Sequence, residues 1–165
     1  MFNQSFQSRL DLRGLPHRTD TAYARMLPWT RIAFAVGGLQ SLVATTTMNT
    51  QMLWIMAPIA ALAVVMPHHL IEYLYNFVIR HITKTEKLPR NQAPVRFAFF
   101  MATLMLIATA TAFDAGVIWL GFVLGMTMVM ISAVFCLTHF CVPAAIWTWM
   151  FGDRAKITCA LNANA

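Results

Sequence analysis

The sequence predicts an all-α fold: an integral membrane bundle of four transmembrane helices, with N and C termini in the cytoplasm and an amphipathic interfacial helix between spans 2 and 3. Three observations indicate this fold. Only 11% of the 165 residues are charged, against about 25% in soluble domains. Two stretches, residues 32–71 and 115–152, carry no Asp, Glu, Lys or Arg. All 12 basic residues fall on one side of the predicted spans.

The first uncharged stretch is too long for a single crossing. Its 40 residues would form a helix of about 60 Å, whereas a bilayer core is about 30 Å thick. We therefore predict two spans, at about residues 30–46 and 51–67, joined by a turn in the polar segment TTTMNTQ. The preceding residues 1–29 are predicted to form a polar cytoplasmic tail.

The second half of the chain predicts two further spans. Pro94 suits the first turn of a helix, where its missing N–H costs nothing, so a third span is expected at about residues 95–113. Asp114 and Gly116 predict a tight turn. A fourth span follows at about residues 116–138.

The uncharged residues after the fourth span are predicted to lie along the membrane interface. Pro143 breaks the helix, and residues 144–151 then form an interfacial helix with two tryptophans as anchors. Residues 153–165 form a second cytoplasmic tail, so the membrane domain covers residues 30–152. A five-span alternative would need a turn inside the fourth span, where no Gly, Pro, Asn or Asp stands at the necessary position.

The positions of the basic residues predict the orientation. They lie before or at the start of the first span, between the second and third spans or at the start of the third, or after the fourth, and the two remaining turns carry none. The positive-inside rule therefore places both termini and the central loop in the cytoplasm. The net charge of +6 does not indicate a nucleic-acid partner, because these residues do not form a basic face on a soluble domain. The basic residues are Arg9, Arg13, Arg18, Arg25, Arg31, Arg80, Lys84, Lys87, Arg90, Arg96, Arg154 and Lys156.

The central loop contains the pattern of an amphipathic helix at about residues 68–83. At about 100° per residue, His69, Glu72, Asn76 and Arg80 share one side, while apolar residues cover the other. In one interpretation these polar residues are the solvated face of an interfacial helix, which is the default for such helices. In the other, His69 and Glu72 are half of a site that another helix completes, as in metal-bearing bundles.

Small residues line one face of the predicted fourth span. Gly121, Gly125 and Ser132 share this face. Gly121 and Gly125 form a small-xxx-small pair, which lets a neighbouring helix approach closely in a membrane. Gly37 and Gly38 place a second pair of small residues in the first span, so both spans are predicted to pack through glycine.

The segment CLTHFC brings thiols and an imidazole together. Cys136 and His139 end the face of small residues, whereas Cys141 lies about 140° from Cys136 on a continuous helix. The segment is therefore not a four-ligand zinc motif, and it lacks the C-x-x-C spacing of a thiol redox pair. Three interpretations of His139 remain open: a hydrogen bond across a helix pair, a ligand or redox role with Cys136, His69 and Glu72, or a solvent-facing position.

Two segments also carry a family likeness: HLIEYLYNFVIRHITKTEKLPRNQAPVRFA, which begins at His69, and THFCVPAAIW, which begins at Thr138. They resemble a family of bacterial integral membrane proteins described only as a domain of unknown function, number 4395. The family pattern is His-Pro-Phe-Asp followed by Tyr-Asn, and Glu72 stands in place of the Asp. Where some members carry C-x-x-C, this chain has Ala144 at the second cysteine, so no dithiol is expected. The resemblance implies a four-span topology and brings no established activity, and it marks His69, Tyr75, Asn76, Arg80, His139 and Cys141.

These patterns leave three hypotheses about function. No catalytic motif can be read from the residues, so an enzyme is not expected. The first hypothesis is a non-catalytic accessory protein of the bacterial inner membrane, without a cofactor, that packs through its glycine faces against itself or a larger complex. The second is a small membrane redox protein that binds a metal or haem through His69, Glu72, Cys136 and His139. The third is a small-solute carrier formed by an oligomer, although the spans predict no charge at the midplane.

Overall fold

The computed structural model describes residues 27–83, 87–88, 90–138 and 140–151. Helices joined by short connections make up these ranges, which contain no strand. In chain order the elements are a 3-10 turn at Leu27–Arg31, α1 Ile32–Thr46, α2 Thr50–Val65, α3 Leu70–Leu74, a π-helical segment Tyr75–Ile79, α4 Arg80–Thr83, α5 Ala93–Asp114, α6 Ile118–Thr138 and α7 Val142–Phe151. The predicted all-α fold is confirmed for this part of the chain.

Two of the described helices are long and apolar enough to cross a membrane: α5 with 22 residues and α6 with 21. A third crossing exists if α2 and the segment Leu70–Ile82, which are bent by 68° from each other, form one broken span. The 15 residues of α1 measure about 22 Å at 1.5 Å per residue. The described ranges thus contain two to three helices that satisfy the length and composition of a span, where the sequence predicts four.

Tight turns join α1 to α2 and α5 to α6. Between α1 and α2, Met48 has a positive φ of 51°, and the Asn49 side chain caps α2 by accepting a hydrogen bond from the Met52 N–H at 3.0 Å. Between α5 and α6, Gly116 has a φ of 75°, a conformation that glycine adopts without steric cost. Pro94 lies in the first turn of α5, where no N–H is needed.

The centre of the bundle is α5, which packs against α2, α6 and α7. Helix α1 packs chiefly on α6, and it contacts α2 little although the two are consecutive. The main core cluster contains many small side chains, which let the helices approach closely. Its buried members are Ala44, Leu53, Met56, Ala57, Ala60, Leu106 and Ala110.

The face of small residues on α6 is covered from within the chain. A Cβ added to Gly125 would overlap Thr45 of α1, and one added to Gly38 would overlap Ser132. The Ser132 hydroxyl also donates a hydrogen bond of 2.6 Å to the Phe34 carbonyl. We call this interface, formed by Phe34, Gly38 and Thr45 of α1 with Gly125 and Ser132 of α6, the α1–α6 seam.

Two further contacts extend the packing of α6 beyond the seam. A Cβ added to Gly121 would overlap the Phe113 ring of α5. Near the other end of α6, the Arg31 guanidinium donates a hydrogen bond to the Cys136 carbonyl. The whole length of this face of α6 is therefore in contact with neighbouring parts of the same chain.

The exterior of the bundle is apolar. Large hydrophobic side chains on α1, α2 and α6 are exposed, with fractions of 64% for Leu39, 64% for Ile55 and 82% for Leu137. Soluble monomers rarely expose contiguous apolar surface on this scale. The exterior is therefore typical of a protein whose helices face lipid.

Candidate functional site

The segment from His69 to Ile82 turns its polar face towards the protein. His69, Glu72 and Asn76 are 8%, 5% and 7% exposed, whereas Phe77 and Ile82 are 74% and 77% exposed. The interpretation of this stripe as a solvated face is therefore wrong. His69, Glu72 and Asn76 are buried, Arg80 is partly exposed, and the apolar residues form the outer surface.

The buried polar residues begin with a capping box at the start of α3. The His69 backbone N–H donates to Glu72 Oε2 at 2.8 Å, and His69 Nδ1 accepts from the Ile71 N–H at 3.3 Å. Both hydrogen bonds satisfy backbone groups that a helix start leaves without a partner. The sequence spacing His-x-x-Glu thus has a local structural purpose.

The same polar face holds the chain that leads into α5. Asn91 donates through Nδ2 to Glu72 Oε2 at 3.0 Å and through its backbone N–H to the Pro67 carbonyl at 2.7 Å. The Asn76 Oδ1 accepts from the Leu88 N–H at 2.9 Å. We call His68, His69, Glu72, Asn76 and Asn91 the polar junction, because these residues join the end of α2 to the start of α5.

The His68 ring contacts the Tyr73 ring edge-on, with centroids 5.4 Å apart. His68 is 5% exposed, and its Nδ1 lies 3.9 Å from Glu72 Oε2, which exceeds a hydrogen bond. Within the described ranges this Nδ1 has no hydrogen-bond partner. Burial, followed by the charges of Lys87 and Arg90, lowers the pKa of His68, which lies in the connection after α2.

Of the remaining residues of the family likeness, Tyr75 and Arg80 lie on the same helical segment as Asn76, whereas Cys141 lines the same pocket as His69. Tyr75 is 2% exposed, and its ring is 5.0 Å from that of Trp29. Arg80 is partly exposed. Cys141 is buried in a second core cluster with Phe135 and Ala144.

Among the described residues, the structure does not bring His69, Glu72 and Cys136 together as metal ligands. His69 and Glu72 belong to the polar junction, while Cys136 of α6 packs against the cluster that contains Cys141. His139 lies outside the described residues. In the ranges that are described, no group of three His, Cys, Asp or Glu side chains is arranged to hold a metal ion. The metal or haem hypothesis, which depends on His139, stays a prediction.

A partly open cavity of about 330 Å³ lies between α1, α2, α5 and α6, and α3 and the start of α7 also contribute to its lining. We call it the bundle cavity. Most of its lining is aliphatic or aromatic. Gly37 also lines the cavity, and a Cβ added to Gly37 would have no neighbour within 4 Å beyond its own stretch of α1. His69 reaches it from the polar junction, and its ring is stacked on Phe99 with centroids 5.2 Å apart.

Sequence reasoning missed two residues of this region. Asn91 carries a weak signal, because asparagine before a proline-initiated helix is typical of a turn. Phe99 carries none, since it is one of 12 phenylalanines and its role depends on a ring contact with a distant histidine.

Comparison with known proteins gives one finding. A family model with the description Domain of unknown function (DUF4395) matches residues 24–151. No curated protein and no solved structure matches the chain.

Proposed function

The chain belongs to the family described as Domain of unknown function (DUF4395), and from the geometry of its described residues we propose that it is a non-catalytic accessory protein of the bacterial inner membrane. In this proposal it spans the bilayer four times, with both termini in the cytoplasm. It assembles with copies of itself or with another membrane subunit.

The observation that carries the proposal is the inverted segment after α2. Phe77 and Ile82 face outward, while His69, Glu72 and Asn76 face inward. In water this arrangement would expose apolar surface and bury polar groups at a cost. In or against lipid it is favourable, because apolar side chains then meet acyl chains.

The hydrogen bonds of the polar junction support a structural role. The Glu72 carboxylate accepts from a backbone N–H and from Asn91, and the Asn76 carbonyl oxygen accepts from a backbone N–H. These groups tie Leu88 and Asn91 to the helical segment that follows α2. A catalytic acid or base would instead direct its polar atoms towards a bound substrate.

The outer face of α6 is the surface that we assign to assembly. In the most apolar window of α6 only 17% of residues are buried, against 39% in α5. Since the glycine face of α6 is covered by α1 and α5, a partner contacts the opposite side. That side includes Val123, Met126 and Met130, and methionine adapts well to varied partner surfaces.

Native mass spectrometry of the chain, extracted mildly from its own membrane, tests the assembly. We expect masses at multiples of 18.5 kDa or at that mass plus other proteins. Met130→Ser should reduce these assemblies by about tenfold, because loss of one buried apolar side chain from an interface costs about 1.5 kcal/mol. Ile55→Ser is the matched control, since Ile55 is similarly exposed on α2.

Two outcomes would contradict the accessory role. One is a chain that is monomeric with and without the Met130 substitution. The other is a fixed added mass that matches a metal or haem, which would favour His69, Glu72, Cys136 and His139 as ligands.

Reporter fusions test the four-span topology. Alkaline phosphatase is active only outside the cytoplasm, so fusions after Met48 and after Gly116 should be active, and a fusion after Ala165 should be inactive. The positive-inside distribution of Lys and Arg is the physical reason for this expectation. Activity of the Ala165 fusion would contradict it.

A further inference from the structure

The bundle cavity has the size and lining of a small ligand site. Its volume of about 330 Å³ is at the lower end of the range of about 300–1,000 Å³ for ligand sites. Gly37 keeps one wall open, because a side chain at this position would project into empty space. Three aromatic rings in contact form another wall. The Phe34 ring is stacked on the Phe99 ring with centroids 5.0 Å apart, and its centroid lies 4.5 Å from that of Phe135.

His69 gives this apolar space a hydrogen-bond donor. The residue is 8% exposed, and its Nδ1 accepts from the Ile71 N–H. Burial lowers the pKa of His69, which lies in the connection between α2 and α3. The neutral ring, with Nδ1 as acceptor, carries its proton on Nε2. Within the described part of the chain, Nε2 has no hydrogen-bond partner.

The chemistry of the lining restricts what the cavity can bind. A ring N–H in an otherwise apolar space favours an occupant with a hydrogen-bond acceptor, because one net hydrogen bond contributes about 1 kcal/mol. Among the described residues, the lining contains no Lys or Arg, so nothing compensates the charge of an anion. An uncharged carbonyl on an apolar body satisfies both conditions.

The cavity is also accessible from the side of the bundle. Helices α1 and α2 contact each other little, and both contribute to the lining, α1 through Val36 and Gln40 and α2 through Ile59. Gln40 is exposed, and Val36 and Ile59 are partly exposed. A lipid-soluble molecule can therefore enter between these helices without crossing water.

We propose that the bundle cavity binds one lipid-soluble molecule with an uncharged carbonyl on an apolar body, and that His69 Nε2 donates a hydrogen bond to this carbonyl. Two sources share this chemistry: a quinone and the ester of an acyl lipid. The site is distinct from the outer face of α6, to which we assign assembly.

Native mass spectrometry of the full chain in mild detergent tests the proposal with three probes of similar length. They are a benzoquinone with a decyl tail, methyl decanoate, and decylbenzene, which has no carbonyl. We expect a one-to-one adduct with at least one carbonyl probe, and about fivefold weaker binding of decylbenzene, as the loss of one hydrogen bond predicts. An adduct with the quinone or with the ester identifies the source.

Variants locate the binding. Gly37→Leu should fill the cavity and reduce the adduct by about tenfold or more, as expected when several methylene-sized contacts are lost. Ala35→Leu adds the same side chain to the exposed side of α1 and should leave the adduct unchanged. His69→Ser keeps a residue that caps α3 but removes the ring donor, so it should abolish the preference for carbonyl probes.

Several results would overturn the proposal. They are equal binding of decylbenzene and both carbonyl probes, no adduct with any probe, or an unchanged adduct in Gly37→Leu. If Gly37→Leu fails to fold, His69→Ser decides alone: an undiminished preference for carbonyl probes in that variant would rule out His69 as the donor.

Discussion

Helix α1 makes one closed interface and one open interface, and two adjacent glycines mark the difference. Gly38 lies in the α1–α6 seam, where an added Cβ would overlap Ser132. Gly37 faces the bundle cavity, where an added Cβ would meet nothing within 4 Å. The same residue type therefore serves close backbone contact at one position and leaves free space at the next.

The comparison separates two physical uses of small residues in a membrane bundle. Across the seam, Gly38 and Gly125 let the helix backbones approach, and Ser132 adds a hydrogen bond to the Phe34 carbonyl. Interhelical hydrogen bonds in membranes contribute about 0.6 kcal/mol on average. Between α1 and α2 no such closure occurs, so the glycine there contributes volume rather than contact.

The largest expected effect comes from placing a bulky side chain in the α1–α6 seam. Gly125→Leu places a branched side chain against Thr45, and overpacking of this kind costs about 3 kcal/mol. We expect loss of most folded protein, measured as the free energy of unfolding during titration of the detergent-solubilised chain with SDS. Ala133→Leu, at an exposed position of α6, is the control and should unfold like the wild type. A normally stable Gly125→Leu variant would show that the seam is not close-packed.

The second largest effect is expected from a substitution in the polar junction, which joins the end of α2 to the start of α5. Glu72→Ala leaves the His69 N–H and the Asn91 amide without their acceptor, at a cost of about 2 kcal/mol. Hydrogen exchange in the segment before α5 should accelerate, because Asn91 no longer holds it to α3. Glu72→Gln retains one acceptor oxygen and should lie between Ala and the wild type. Equal exchange in all three proteins would argue against the junction as the clamp on this segment.

A smaller effect is expected from Ser132→Ala. This change removes the hydrogen bond to the Phe34 carbonyl but keeps the close packing on Gly38. A hydrogen bond makes a net contribution of about 1 kcal/mol. We therefore expect the free energy of unfolding, measured in the same SDS titration, to decrease by about 1 kcal/mol. Thr127→Ala, at an exposed hydroxyl that bonds only within α6, should cause a smaller decrease. A larger decrease in Thr127→Ala would exclude a special contribution from the seam.

The sequence predicted the helical class and the family because both depend on composition and local pattern. Long uncharged runs indicate apolar helices, and the segment that starts at His69 carries the family likeness. The direction of the polar stripe was not predicted. A helical period places His69, Glu72 and Asn76 on one side, but it is the same whether that side faces water or a protein interior.

The residues that contact each glycine could not be predicted from the local sequence pattern either. The spacing of Gly121 and Gly125 predicted a close helix neighbour, but not that Thr45 and Phe113 of the same chain would occupy the place. Likewise, nothing local distinguishes Gly37 from Gly38. Which of two adjacent residues faces a neighbour depends on the rotation of α1 about its axis, and packing across the whole bundle sets this rotation.

The smallest expected effect is also the one that tests the comparison most directly. Gly37→Leu should change the free energy of unfolding by no more than about 0.5 kcal/mol, as for substitutions without a steric conflict. Gly38→Leu, one residue away, should destabilise the chain as Gly125→Leu does, because its side chain meets Ser132. The pair has identical chemistry and nearly identical helix position, so a difference between the two measures the packing alone. Equal destabilisation would mean that α1 and α2 close on each other in the membrane, and the space on which the ligand proposal depends would then not exist.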